Sequence, residues 1–195
     1  MCKIGSPLLS FLLCSLCTPL QLLEESKTLL EKAKRVEGFS KITYYHSSLL
    51  LAISALEACI NSIADEILID PYKNEYTIYE QGLLLEKDVR FDKGEFVLSN
   101  GLKISRITDR IEFLYYKFTR KRLDGTYQWY ANLRQSIDIR NKLVHPKEQL
   151  RISDNQVELA ILSVIETINQ LYLAVYKRKF PAYDWGINPR KELLL

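Results

Sequence analysis

Three observations predict an all-α fold, an antiparallel bundle of four to five helices. Apolar residues recur at helical spacing over several long stretches of the chain. Glycine and proline number only seven and six in 195 residues, too few for the turns of an all-β protein. The connections between the stretches are short, which favours antiparallel neighbours. One region departs from the helical pattern, at about residues 70–103, and is expected to be a small β-hairpin or irregular insertion. A hydrophobic fraction of 47% and a charged fraction of 26% are those of an ordinary globular chain with ample material for a core. A net charge of +3 allows an anionic partner without demanding one.

Residues 1–22 form an apolar N-terminal arm, in which 7–23 read PLLSFLLCSLCTPLQLL. Only Lys3 precedes the run, Pro19 interrupts it and no A-x-A site follows, so the pattern favours a helix packed on the body or on a partner over a targeting segment. The run is also short for a membrane span, and a cytoplasmic protein without membrane contact is expected. Cysteines stand at 2, 14, 17 and 59. Cys14 and Cys17 make a C-x-x-C, but no second pair or nearby histidine completes a zinc site, and the four are read as reduced thiols.

The helical domain spans 23–180. Leu22 to Lys34 is amphipathic, with Leu22, Leu23, Leu29, Leu30 and Ala33 opposed to Glu24, Glu25, Lys27, Glu31 and Lys32. After Gly38-Phe39-Ser40, a strongly apolar helix runs from Thr43 to Ile69 and stops at Pro71. One stripe of it, Ser47, Ser54, Glu57, Asn61 and Asp65, is polar, with the last four at spacings of a single helical face; it reads as a solvated face, the alternative being that Glu57 and Asn61 face and orient a site at Arg140 and His145. In the insertion, Val89-Arg90-Phe91 and Phe96-Val97-Leu98 flank a turn at Asp92-Lys93-Gly94-Glu95, and Asn100-Gly101 signals a second turn. Helix resumes near Ser105 or Arg106 and runs to Lys117 or beyond; Gly125 then breaks it. Thr126 is the expected N-cap of a helix over Tyr127–Val144. Ser153-x-x-Gln156 reads as a capping box that opens the last long helix, which ends in Lys177-Arg178-Lys179 ahead of Pro181. The tail, 181–195, is expected to be irregular.

The string Arg140-Asn141-Lys142-Leu143-Val144-His145, followed by Pro146, concentrates the chemistry of the chain and holds one of its two histidines. The residue before a proline is pushed out of the α region, so the helix is expected to stop near His145. Five residues of helix are about 500° of turn and roughly 7.5 Å of rise. Arg140 and His145 therefore converge only if the last turn loosens or a second copy supplies the other residue. A guanidinium grips a phosphate through paired donors, and an imidazole near neutral pH gives or takes a proton. Together they suffice, without a metal, to cut RNA. The bland alternative makes Arg140 a surface charge and His145 a C-cap on the last carbonyls.

The string resembles the RNxxxH signature of the HEPN superfamily, small helical proteins that include metal-independent ribonucleases. Ala55-Leu56-Glu57-Ala58-Cys59-Ile60-Asn61 is also similar to the EA-x-x-N run in the long helix of some bacterial members, and the similarity spans about residues 23–180. The resemblance implies a homodimer whose motif helices face each other, so that Arg140 and His145 of both copies form one site leaving a 2′,3′-cyclic phosphate. Arg140, His145 and Asn141 would then be catalytic, with Glu57 and Asn61 orienting them. The members encoded beside nucleotidyltransferase antitoxins carry R-x4-H-x-Y; Pro146-Lys147 stands here with no tyrosine, so that pairing does not transfer.

Two basic-aromatic clusters are candidates for RNA contact: Lys117, Arg120, Lys121 and Arg122 beside Tyr115, Tyr116 and Phe118, and Lys177 and Arg178 beside Tyr176. No P-loop, G-x-G-x-x-G, G-x-S-x-G or HExxH is present, so no metal or cofactor is expected, and His46 reads as a helix-start or core-edge histidine. Two functions follow. One is a metal-independent endoribonuclease of the toxin or antiphage-defence type, with RNA and a homodimer partner and an antitoxin or other regulatory protein. The other is a non-catalytic helical module that binds RNA, a nucleotide or a protein.

Overall fold

A computed structural model of the chain describes residues 17–69, 72–146 and 150–190. The expectations for the arm before Cys17, for Pro71, for Lys147 and for residues 191–195 lie outside the described residues. The fold is mostly helical. Its helices are α1 (Cys17–Ala33), α2 (Phe39–Ile67), α3 (Ile78–Leu85), α4 (Ile107–Thr119), α5 (Gln128–Val144) and α6 (Asp154–Tyr176). Strands β1 (Lys87–Asp92) and β2 (Glu95–Leu102) form one antiparallel hairpin. The helices number six among the described residues rather than four or five, because the short α3 lies inside the insertion.

α6 is the centre of the bundle. Val157, Ile161, Val164, Ile168 and Leu171 are almost fully buried, and Ala160, Ser163 and Thr167 let its neighbours approach closely. It packs on α1, α2, α4 and α5. α2 and α6 run in the same direction. Lys41 and Asp154, both near helix starts, lie 3.9 Å apart, and the Tyr176 hydroxyl donates to Glu66, both in last turns, at 2.5 Å. Both helices are long and apolar enough to cross a membrane by length and composition, and more than half of each apolar window is buried within the bundle.

α1 departs from simple amphipathicity. Ser26 Oγ donates to the Ser48 carbonyl at 2.8 Å and Ser48 Oγ returns a bond to the Ser26 carbonyl at 2.8 Å, which clamps α1 to α2. Glu24 and Lys27, placed by the sequence pattern on the solvated face, are buried as an ion pair at 2.6 Å with both side chains at 0% exposure. The second Glu24 oxygen accepts the backbone N–H of Arg190 at 2.6 Å. The tail is therefore held on the body, with Phe180 and Ala182 buried and a 3₁₀ turn at Tyr183–Trp185, rather than irregular throughout.

The insertion is ordered by three devices. α3 is opened by a capping box in which Thr77 Oγ1 accepts from the Glu80 N–H and Glu80 accepts from the Thr77 N–H. The hairpin turns at Lys93-Gly94, both with positive φ, as a two-residue loop matched to strand twist demands. Gly82 lets α3 touch the hairpin, since a Cβ there would stand 2.9 Å from the Lys87 carbonyl and from Val89. Asn100-Gly101 is not a turn. It lies inside β2, where the pairing jumps from Val89↔Leu98 to Lys87↔Leu102 and the extra residues bulge.

The buried pair gives a stability prediction. Lys27→Ala leaves the Glu24 carboxylate buried without its cation and should cost about 3–5 kcal/mol in urea unfolding. The double change Glu24→Gln with Lys27→Met removes both charges and should recover most of that loss.

Candidate functional site

The motif helix α5 is positioned from its N-terminal end. Tyr127 caps it, not Thr126; Thr126 instead donates its N–H and hydroxyl to Asp124 in the preceding turn, at 2.9 and 2.5 Å. Trp129 packs edge-on against Tyr127 and Tyr130, and Tyr115 of α4 meets Tyr127 and Trp129, at centroid distances of 5.6–6.3 Å. Tyr130 donates to Glu112, which together with burial pushes its phenol well above the usual tyrosine range. Leu133, Ser136 and Ile139 are buried, and Ser136 and Ser163 hydroxyls meet at 3.3 Å against α6. With that face fixed, Arg134, Asp138 and Asn141, one stripe of the helix, line a cleft of about 850 Å³ with the half-buried Arg140.

In this cleft Arg140 meets the polar stripe of α2. Its Nη2 donates to Glu57 Oε1 at 2.6 Å and its Nη1 to Asn141 Oδ1 at 3.1 Å. Asn61, one turn along, does not bond Arg140. It accepts from Arg110 Nη2 of α4 at 2.7 Å. Arg110 also donates to the Leu84 carbonyl at 2.7 Å, and its Nη1 stands 3.6 Å from Glu86. It is 3% exposed, and its buried Nε has no partner. Burial weakens its hold on the proton, and the nearby carboxylates of Glu86, Glu57 and Asp65 oppose that effect.

His145 goes elsewhere. α5 ends at Val144, as the pattern predicts, and His145 is the C-cap at φ −123° with an exposed side chain. It does not line the Arg140 cleft. One copy of the chain thus brings Arg140, Asn141, Glu57 and Asn61 to a common cleft and leaves His145 outside it. Beside the C-terminal end of α5 lies a second groove, of about 990 Å³, lined by Leu143, Pro146, Tyr45 and His46. His46 is half-buried, burial lowers its pKa, and its Nε2 has no partner.

The two basic clusters come together at one end of the bundle. Lys177 Nζ donates to the Phe118 carbonyl at 3.4 Å, which joins the ends of α4 and α6. Lys117 points inward, bonded to Glu80 at 3.0 Å and lying 4.7 Å from the Tyr76 ring centroid. Lys177 also closes α6 by donating to Ala174 at 2.7 Å, and Arg178 lies 5.6 Å from the Tyr176 ring. Arg120, Lys121, Arg122 and Arg178 remain exposed; Tyr115 is buried among its aromatic neighbours.

The sequence reading missed Arg106, Arg110, Arg134 and Glu86 as cleft residues. A signal was present on α5, where Arg134, Asp138 and Asn141 share one face, whereas Arg106 stands at the N-cap of α4, four residues before Arg110. Among the described residues, no three His, Cys, Asp or Glu side chains are grouped to hold a metal ion. No protein-family model, no curated protein and no solved structure matches this chain.

The two arginine pairs should differ in weight. Glu57→Ala breaks a pair whose side chains are 27% and 40% exposed, and should lower stability by less than about 1 kcal/mol. Arg110→Ala removes buried hydrogen bonds to a charged group and should cost about 1.5–3 kcal/mol in the same urea titration.

Proposed function

We propose that this chain is a metal-independent endoribonuclease of the toxin or antiphage-defence type, acting as a homodimer. The observation that carries the reading is the placement of Arg140. Glu57 and Asn141 hold its guanidinium at the edge of an open cleft, while His145 projects from the end of the same helix outside that cleft. A second copy that turns its motif helix toward the first would set His145 of one chain against Arg140 of the other, as the HEPN resemblance implies. The exposed Val144 beside His145, at 46% exposure, gives that meeting an apolar contact.

In such a site His145 takes the proton from a ribose 2′-hydroxyl, whose oxygen attacks the adjacent phosphorus. The bond to the 5′-oxygen breaks, and that oxygen receives a proton from the histidine of the second copy. The products carry a 2′,3′-cyclic phosphate and a free 5′-hydroxyl. Arg140 grips the phosphate and offsets the charge that builds on it. Asn141 and Glu57 set the guanidinium's angle, and Asn61 acts at one remove by fixing Arg110. The exposed cations Arg120, Lys121, Arg122 and Arg178 would hold more distant RNA. This reading implies a cytoplasmic protein whose activity is held in check by an antitoxin or another partner.

A second reading rests on the same ion pair. Glu57 already neutralises Arg140, which suits a non-catalytic module that uses the pair as a strut and binds RNA, a nucleotide or a protein.

Cleavage of a mixed RNA pool in EDTA separates the two. The wild type should cut and leave cyclic-phosphate ends, and His145→Ala should slow cutting by at least about 100-fold, the range of general acid–base catalysis. Equal cutting by His145→Ala would overturn the mechanism. An intact, dimeric wild type that cuts nothing would favour the binding module.

A further inference from the structure

We propose that the cleft between the hairpin and the bundle is a groove for single-stranded RNA, in which Arg106 and Arg134 hold phosphates of the strand leading to Arg140. The inference rests on the preceding reading for its ligand class and adds the residues and the wall that take it.

Charge accounting in the cleft identifies the two arginines. Its carboxylates are already engaged: Glu57 by Arg140, Glu86 by Arg110 and by the Ser105 N–H at 3.2 Å, and Asp138 by Lys142 at 2.7 Å. Arg106 and Arg134 line the same cleft, are exposed, and make no ion pair among the described residues. The uncompensated charge is therefore that of two guanidiniums, one at the N-cap of α4 and one on α5, lining the cleft that Arg140 also lines. Guanidiniums suit phosphates because they donate in pairs and shed water more readily than ammonium groups.

Part of the lining is an apolar wall. Leu102 at the end of β2 and Ile104 just beyond it line the cleft and are 74% and 81% exposed. Large aliphatic side chains displayed beside arginines give apolar contact to the faces of unstacked nucleotides, while the arginines take their phosphates. Arg110, 3% exposed with its Nε unpartnered, and the exposed Asn61 and Asn141 add polar groups to the lining. A volume of about 850 Å³ is within the range of sites that enclose a small ligand, so the cleft takes a local stretch of strand.

The test is binding, kept apart from cutting. Fluorescence anisotropy with a short labelled single-stranded RNA is measured in EDTA on the His145→Ala background and over a range of salt. Arg106→Ala with Arg134→Ala should weaken binding by about tenfold or more and flatten the log–log salt slope by about 1.4, two phosphate contacts on a single strand. Leu102→Ser with Ile104→Ser should weaken binding several-fold and leave that slope unchanged. Both arginines are exposed, and circular dichroism should show an unaltered melting curve for their removal.

Unchanged affinity and slope in the double-arginine variant would overturn the groove while leaving the cleavage reading intact. So would equal binding of a duplex of the same sequence, because the apolar wall would then read nothing. Absence of RNA binding by the wild type would also overturn it. A wild type that binds through these arginines but cuts no RNA would end the nuclease reading and leave the groove standing.

Discussion

The burial of α6 is the constraint on which the rest of the structure depends. A helix that is apolar on most of its circumference has little face to offer to water, so other helices must cover most of it. α1, α2, α4 and α5 do so. Each then has its own orientation decided, because the face turned to α6 is its apolar face. For α2 this sends Glu57 and Asn61 toward the side where α4 and α5 meet. The arginines of those two helices are there to receive them.

The cleft is thus a consequence of packing as much as of chemistry. α2 contributes acceptors, α4 and α5 contribute guanidiniums, and the insertion supplies a wall that the bundle alone would lack. Arg110 is held too tightly to reach a ligand freely, with its guanidinium shared among Asn61, Leu84 and Glu86. Arg140 is held by one carboxylate and one amide at a partly open site. The buried arginine fixes geometry and the half-buried one can still exchange partners. His145 follows a different logic: the proline after it ends the helix, and the imidazole is left at the rim with nothing in its own chain that places it beside Arg140.

Much of this was legible in the sequence where periodicity was strong. Ile53, Leu56, Ile60 and Ile63 on α2, and Val157, Ile161, Val164 and Ile168 on α6, declare buried helices by spacing alone, and all are almost fully buried. Ser153 with Gln156, and the turn at Lys93-Gly94, were readable from local chemistry. The failures are long-range. Nothing near Glu24 and Lys27 announces that the chain's far end, at Arg190, will cover them. Asn100-Gly101 has the composition of a turn, but a partner strand can absorb the same residues as a bulge. At the site, the motif marked Arg140, and the polar stripe of α2 marked Glu57 and Asn61. Which arginine each would meet depended on helix crossings that no local pattern encodes.

Glu86 has a wider consequence. It sits in the left-handed region at φ 53°, its carbonyl accepts the N–H of Lys103 at 2.8 Å, and its carboxylate accepts that of Ser105. The chain therefore leaves the bundle and returns to it at almost the same point. Such a junction makes the hairpin an appendix in the topological sense, whose length can change without altering the path of the helices on either side. The bundle can keep its architecture while the strand wall is lengthened, shortened or exchanged, so the scaffold and the surface that faces a ligand are free to evolve at different rates.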